Sequence, residues 1–84
     1  GDTVIGDDVV IRQGVTIGLR HTGLRGAPVI GNRVDIGAGA KLLGPIHIGD
    51  DAVIGANAVV LTDVPAGALA VGVPAVIKRR RSGP

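Results

Sequence analysis

The chain has 84 residues and a formal net charge of +2, which makes one small domain with little room for a compact core. It has no Phe, Tyr, Trp, Met or Cys. Without aromatic rings to stack on bases, and with so slight a charge, nucleic acid is a poor partner, and without cysteine there is neither a disulfide framework nor a thiolate metal site.

Hydrophobic residues make up 45% of the chain, which argues against disorder. The longest uncharged stretch, Val64 to Ile77, is too short to cross a bilayer and is broken by Pro65 and Pro74, and no secretory signal is visible. No membrane partner is expected, and a cytoplasmic location is compatible with the missing cysteines. Gly1 opens the chain in mid-pattern, which reads as a fragment, a processed product or an engineered piece lacking coils upstream.

In chain order, a large aliphatic residue recurs every six residues: Ile5, Ile11, Ile17, then Ile30, Ile36, Leu42, Ile48, Ile54 and Val60, with weaker continuations at Ala66 and Gly72. Glycine usually follows, at Gly6, Gly18, Gly31, Gly37, Gly49, Gly55 and Gly67. A strict short period marks a solenoid, whose repeats bury their apolar sides by stacking on neighbours. Four residues after each large aliphatic comes a second apolar residue, among them Val9, Val15, Val34, Ala40, Ile46, Ala52, Ala58, Val64, Ala70 and Val76. Two inward side chains two residues apart make a short strand. Between these strands fall turn formers such as Asp7-Asp8, Asn32-Arg33, Asp50-Asp51 and Ala56-Asn57. Three strands and three corners close a triangle. A helical stripe would drift at this period, because six is not a multiple of 3.6.

The expectation is an all-β parallel β-helix of hexapeptide repeats with somewhat under four triangular coils. Ile5, Ile30, Ile48 and Ala66 stack on its first face, Ile11, Ile36, Ile54 and Gly72 on the second, and Ile17, Leu42 and Val60 on the third. The domain spans 1–77, and a basic tail covers 78–84. One interruption breaks the period between Ile17 and Ile30, so 19–27 is expected to leave the coil as a loop carrying Arg20, His21 and Arg25. Val4, Val10, Val29, Val53 and Val59 point outward, as an association surface would.

The segments Ile11-Arg-Gln-Gly-Val-Thr-Ile-Gly18, Ile36-Gly-Ala-Gly-Ala-Lys-Leu-Leu-Gly44, Ile54-Gly-Ala-Asn-Ala-Val-Val-Leu61 and Val71-Gly-Val-Pro-Ala75 resemble the hexapeptide-repeat acyltransferases, nearest to the serine acetyltransferases. The resemblance covers nearly the whole chain. It implies a left-handed coil, although parallel crossovers are normally right-handed, a homotrimer, and acetyl-CoA as co-substrate in a groove between subunits. Gly18, Ala38, Ala56, Gly72, Pro74 and Ala75 match its cofactor-contacting positions. Lys78 and Arg79 fall where family members place basic residues for the phosphates of CoA. The smallness of Ala38 and Ala56 has a plainer reading as well, since a tight corner wants small residues.

One departure matters. The family's principal catalytic His and its acidic partner lie upstream of the point where this chain begins, and an Arg-His pair precedes the loop proline. Here Gly26-Ala27 precede Pro28. His21 is therefore the candidate general base, with Arg20 or Arg25 orienting an anionic group of the acceptor, L-serine or a sugar. His47 reads as surface. The two histidines sit in different corners and offer no metal-ligand spacing, so no metal is expected. The alternative is a non-catalytic scaffold or trimerisation module. An ice-binding β-helix is a weaker fit, since no face carries a regular outward Thr ladder.

Overall fold

The computed structural model describes residues 3–18 and 26–79, and among them it contains strands and no helix. The first coil is β1 (Val4–Ile5), β2 (Val10–Ile11) and β3 (Thr16–Gly18). The second is β4 (Val29–Ile30), β5 (Asp35–Ile36) and β6 (Lys41–Leu43), and the third is β7 (His47–Ile48), β8 (Val53–Ile54) and β9 (Val59–Val60). Two longer strands, β10 (Ala68–Val71) and β11 (Val76–Arg79), finish the fold. Sheets run down the three faces in the orders β1-β4-β7, β11-β10-β8-β5-β2 and β3-β6-β9, parallel throughout except for β11. The chain is a parallel β-helix.

Inward residues stack in the columns the hexad predicts. Ile5 pairs with Ile30 and Ile30 with Ile48, Ile11 with Ile36 and Ile36 with Ile54, and Ile17 with Leu42 and Leu42 with Val60. The core is purely aliphatic: Ile30, Val34, Ile36, Ala40, Leu42, Ile46, Ile48, Ala52, Ile54, Ala58 and Val60 are all buried. Such an interior has no need of an aromatic ring.

The glycine after each large aliphatic makes room for the next coil. A Cβ on Gly37 would lie 2.6 Å from the backbone nitrogen of Ala56, and one on Gly31 would collide with the carboxylate of Asp50. The corners after the first and second faces turn through left-handed residues: Asp8, Arg33 and Asp51 on one edge, Gly14, Gly39 and Asn57 on the other.

The last coil departs from the predicted register. Steps from the second coil to the third are 18 residues, as in the bond from Asn32 to Asp50, but the step from His47 to Asp63 is 16. Val64 therefore bridges Ile48, and Ala70 pairs with Ile54. Ala66 and Gly72, expected in those two columns, are exposed, while Val64, Ala68 and Ala70 are buried. The slip is two residues because side chains alternate with period two, so an even shift keeps apolar residues inward while an odd one would turn them out.

The chain also does not continue as a coil after Val71. It reverses, and β11 runs antiparallel to β10, with Leu69 opposite Lys78 and Ala70 opposite Ile77. Ile77 and Ala75 pack against the core. Lys78 and Arg79, read from the sequence as the start of a tail, are strand residues held by this pairing. The rest of the expected tail, 80–84, lies outside the described residues.

Candidate functional site

Two edges of the triangle use the same backbone path and satisfy their amides differently. On the first edge, the corner amides of the first and second coils are each capped by the side chain one coil further on. Asp7 N–H donates to Asn32 Oδ1 at 2.8 Å, and Asn32 N–H donates to Asp50 Oδ1 at 2.7 Å. On the second edge the equivalent positions are Gln13, Ala38 and Ala56. Alanine has no acceptor, and the N–H groups of Gln13, Ala38 and Ala56 find no protein partner among the described residues. The carbonyls of this edge run in a ladder: Gly39 N–H donates to Gln13 at 3.0 Å, and Asn57 N–H donates to Ala38 at 2.8 Å. The ladder ends at Ala56, whose carbonyl takes no backbone donor among the described residues. Ala56 is exposed and Ala38 partly so.

This bears on the plainer reading of the small corner residues. The corner geometry does not require alanine, since Asn32 and Asp50 occupy the same position on the other edge. What alanine leaves behind is a row of bare amides, an edge able to bond an extended chain of amide groups.

The turn between β10 and β11 lies at the foot of that edge. Val59 N–H donates to Gly72 C=O at 3.0 Å, and Ala75 N–H donates to Val59 C=O at 2.8 Å. Gly72 takes a positive φ of 97°, and the Val73–Pro74 bond is cis. Gly72, Val73 and Pro74 are exposed and Ala75 is half-buried. The structure thus brings Ala38, Ala56, Gly72, Pro74 and Ala75 to one edge. Val59, which the sequence offers only as an outward valine, joins them through its backbone. No residue pattern signals this, because it depends on the two-residue slip and on the tight turn that follows β10. Lys78 and Arg79 are exposed and lie two and three residues along β11 from Val76, which pairs with Val71 beside the turn.

Gly18 is elsewhere. It ends β3, where Gly44 N–H donates to its carbonyl at 2.9 Å, at the third corner. A Cβ there would touch none of the described residues within 4 Å. From Ala38 to Leu43, the neighbour of Gly18 across the sheet, is the length of one face, roughly 15 Å by strand rise. The described chain resumes at Gly26, which sits over Pro45, and runs to the buried Pro28. Arg20, His21 and Arg25 lie outside the described residues.

The remaining charges form ties between coils. Arg12 bonds Asp35 at 3.2 Å across the second face, and Arg33 grips Asp51 through two bonds, the shorter 2.8 Å. The hydrogen bond it donates to Asp51 and the negative charge of that carboxylate hold the Arg33 guanidinium protonated even more firmly than usual. His47 is exposed, as the alternation of β7 requires. Among the described residues there is no group of three or more His, Asp or Glu placed to hold a metal ion, and no helix long and apolar enough to cross a membrane.

The sequence model of the bacterial transferase hexapeptide family, six repeats, matches residues 27–62. Serine acetyltransferase of Helicobacter pylori is 60% identical over 72 residues, covering 83% of this chain and 42% of its own length. The crystal structure of Neisseria gonorrhoeae serine acetyltransferase in complex with serine superposes with a TM-score of 0.83 at 45% identity, covering 90% of this chain and 31% of that one. A serine acetyltransferase in complex with CoA gives a TM-score of 0.83 at 55% identity over 92% of this chain and 31% of its own. The chain spans about two fifths of the length of the curated relative and about a third of the solved ones. Over the stretch they share, the chain corresponds to the C-terminal hexapeptide-repeat region of the serine acetyltransferases.

Proposed function

We propose that the chain is the β-helix of an acetyl-CoA-dependent O-acetyltransferase that acts on a small hydroxyl acceptor, L-serine or a sugar. The observation that carries the reading is the row of uncapped amides on the second edge. Pantetheine is an extended chain with two amides of its own. Laid along this edge, it accepts from the Ala38 and Ala56 N–H groups and donates to the Ala56 carbonyl. Gly72, Pro74 and Ala75 border its path, and Lys78 and Arg79 supply charge for the phosphates. The CoA-bound and serine-bound relatives support the choice of co-substrate and acceptor class.

The reaction needs a base for the acceptor hydroxyl and donors for the oxyanion. His21 takes the hydroxyl proton, the oxygen attacks the thioester carbonyl carbon, and the tetrahedral intermediate collapses by breaking the C–S bond. The proton then passes to the departing CoA sulfur. Arg20 or Arg25 orients an anionic group of the acceptor, and Gly18 stands at the entrance of the loop. Within one chain, the loop corner and the amide-bearing edge are a full face apart. That separation supports a homotrimer in which the edge of one protomer meets the loop of the next, with the outward Val29, Val53 and Val59 packed between them. A cytoplasmic setting, where acetyl-CoA is made, belongs to the same reading.

The test is thiol release from acetyl-CoA with and without L-serine and a panel of sugars, followed with a thiol reagent. With no cysteine in the chain, the protein contributes no background. Acceptor-dependent release establishes the activity, and His21→Ala then abolishes it if His21 is the base. CoA binding without release would replace this reading with a trimerisation and CoA-binding module.

A further inference from the structure

The bare edge is completed by the turn at Gly72–Ala75, which meets Val59 after a last coil that is two residues short. In the regular coils, the N–H just before each large aliphatic donates to the carbonyl two residues before its stacking partner. Val29 donates to Ile46 at 2.9 Å, Asp35 to Ala52 at 3.0 Å and Lys41 to Ala58 at 2.8 Å. By that rule His47 would donate to Thr62. Its N–H instead meets the carboxylate Oδ1 of Asp63 at 2.8 Å. The backbone resumes its pattern at once: Val64 N–H donates to His47 C=O at 2.9 Å, and Gly49 N–H to Val64 C=O at 2.8 Å. A side chain has taken the place of the backbone carbonyl that the shortened corner removes.

We infer that Asp63 is a positioning residue for the cofactor edge: its carboxylate locks the two-residue register shift that sets Gly72 and Ala75 against Val59. Ala70 lies under Ile54 only in the shifted register. In the regular one Gly72 would occupy that column, and the turn would close beyond Val59. Ile48 meets the last coil through a single bridge to Val64, so this side-chain bond holds a contact that a full strand holds elsewhere. The functional half of the inference rests on the acetyl-CoA reading, and the structural half does not.

The experiment uses the 84-residue chain and two readouts: amide hydrogen exchange by NMR, and CoA affinity by calorimetry. Asp63→Ala speeds exchange at His47, and also at Ala75 on the far side of the coil, by at least tenfold, and weakens CoA binding by about fivefold or more. Asp63→Asn keeps an acceptor oxygen in place and restores both values to within about twofold of the parent. A change confined to His47, with Ala75 protection and CoA affinity intact, overturns the inference and reduces Asp63 to a local cap. If Asp63→Ala does not fold, Asp63→Ser decides: its shorter acceptor gives intermediate exchange at Ala75 if the inference holds and parental exchange if it does not. Should the parent chain fail to bind CoA, the acetyltransferase reading falls, and the register lock is still judged by Ala75.

Discussion

The two ends of the coil are built from the same hexads and reach different states. In the first coil, Ile5 and Ile11 are 45% and 44% exposed, whereas Ile30 and Ile36, directly below them, are 1% and 0% exposed. At the other end, Val64 and Ala70 are as well covered as any central residue, and Ile77 and Ala75 of the closing hairpin pack against the same core. An inward position in a solenoid is buried by the coils on both sides of it, so identical residues differ by what lies above and below. The end carrying the bare amides, the Gly72–Ala75 turn and the basic strand is the capped one. The proposed CoA edge needs a fixed backbone, and the hairpin supplies one.

The largest effect expected from this contrast comes from truncating a covered column. Leu42→Ala removes a fully buried side chain between Ile17 and Val60 and is expected to cost about 2–5 kcal/mol, enough to unfold most of the population of so small a domain. Ile11→Ala, the same kind of change at the open end, is expected to cost less than about 1.5 kcal/mol, since nearly half of the side chain is already in solvent. Urea denaturation of both variants measures the difference. Equal losses would mean that the first coil is as well packed in solution as the second.

Glycines sharpen the same contrast. Gly37→Ala forces a Cβ against the backbone of Ala56 and Gly55, where no flexible side chain can give way, and is expected to cost about 1–3 kcal/mol. Gly18→Ala meets none of the described residues within 4 Å and is expected to stay within about 0.5 kcal/mol of the parent. Denaturation midpoints check both, and a destabilised Gly18→Ala would show that the loop presses on the third corner.

The capped end yields a test of the edge itself. Ala56→Asn copies onto the second edge what Asp50 does on the first: its Oδ1 comes within reach of the Ala38 N–H, and Gly37 leaves the space as Gly31 does for Asp50. Stability is expected to change by less than about 0.5 kcal/mol, while CoA affinity falls about tenfold or more. Calorimetry checks it. Unchanged affinity would remove the amide row from the site.

Most of this architecture was legible in the spacing of isoleucines, because a period of six has one parallel solution that buries its large residues. The columns from Ile5 to Val60 followed directly. The last coil did not, since Ala66 and Gly72 continue the arithmetic on paper while Val64 and Ala70 do so in space. An even slip is invisible to a pattern that records only which residues are apolar. Ala38 and Ala56 stood out only through resemblance, and the hydrogen bonds their amides do not make show only beside Asn32 and Asp50. Val59 was not legible at all: its contribution is backbone, and backbone carries no letter.

The smallest expected effect concerns the ion pairs between coils. Arg33 and Asp51 are both exposed, at 55% and 53%, and share bonds of 2.8 and 3.2 Å. The partner raises the pKa of Arg33, and a raised basic group adds stability that is present below its unfolded value and is lost only as pH climbs through the folded one. Both values lie above the range in which the fold is assayed, so this group gives no pH dependence between about pH 5 and about pH 9. Solvent and salt screen the pair further. Asp51→Asn is therefore expected to leave the urea midpoint unchanged, at low salt and at high. A clear loss at low salt that disappears at high salt would show that these charges, and not the aliphatic columns alone, hold the second coil to the third.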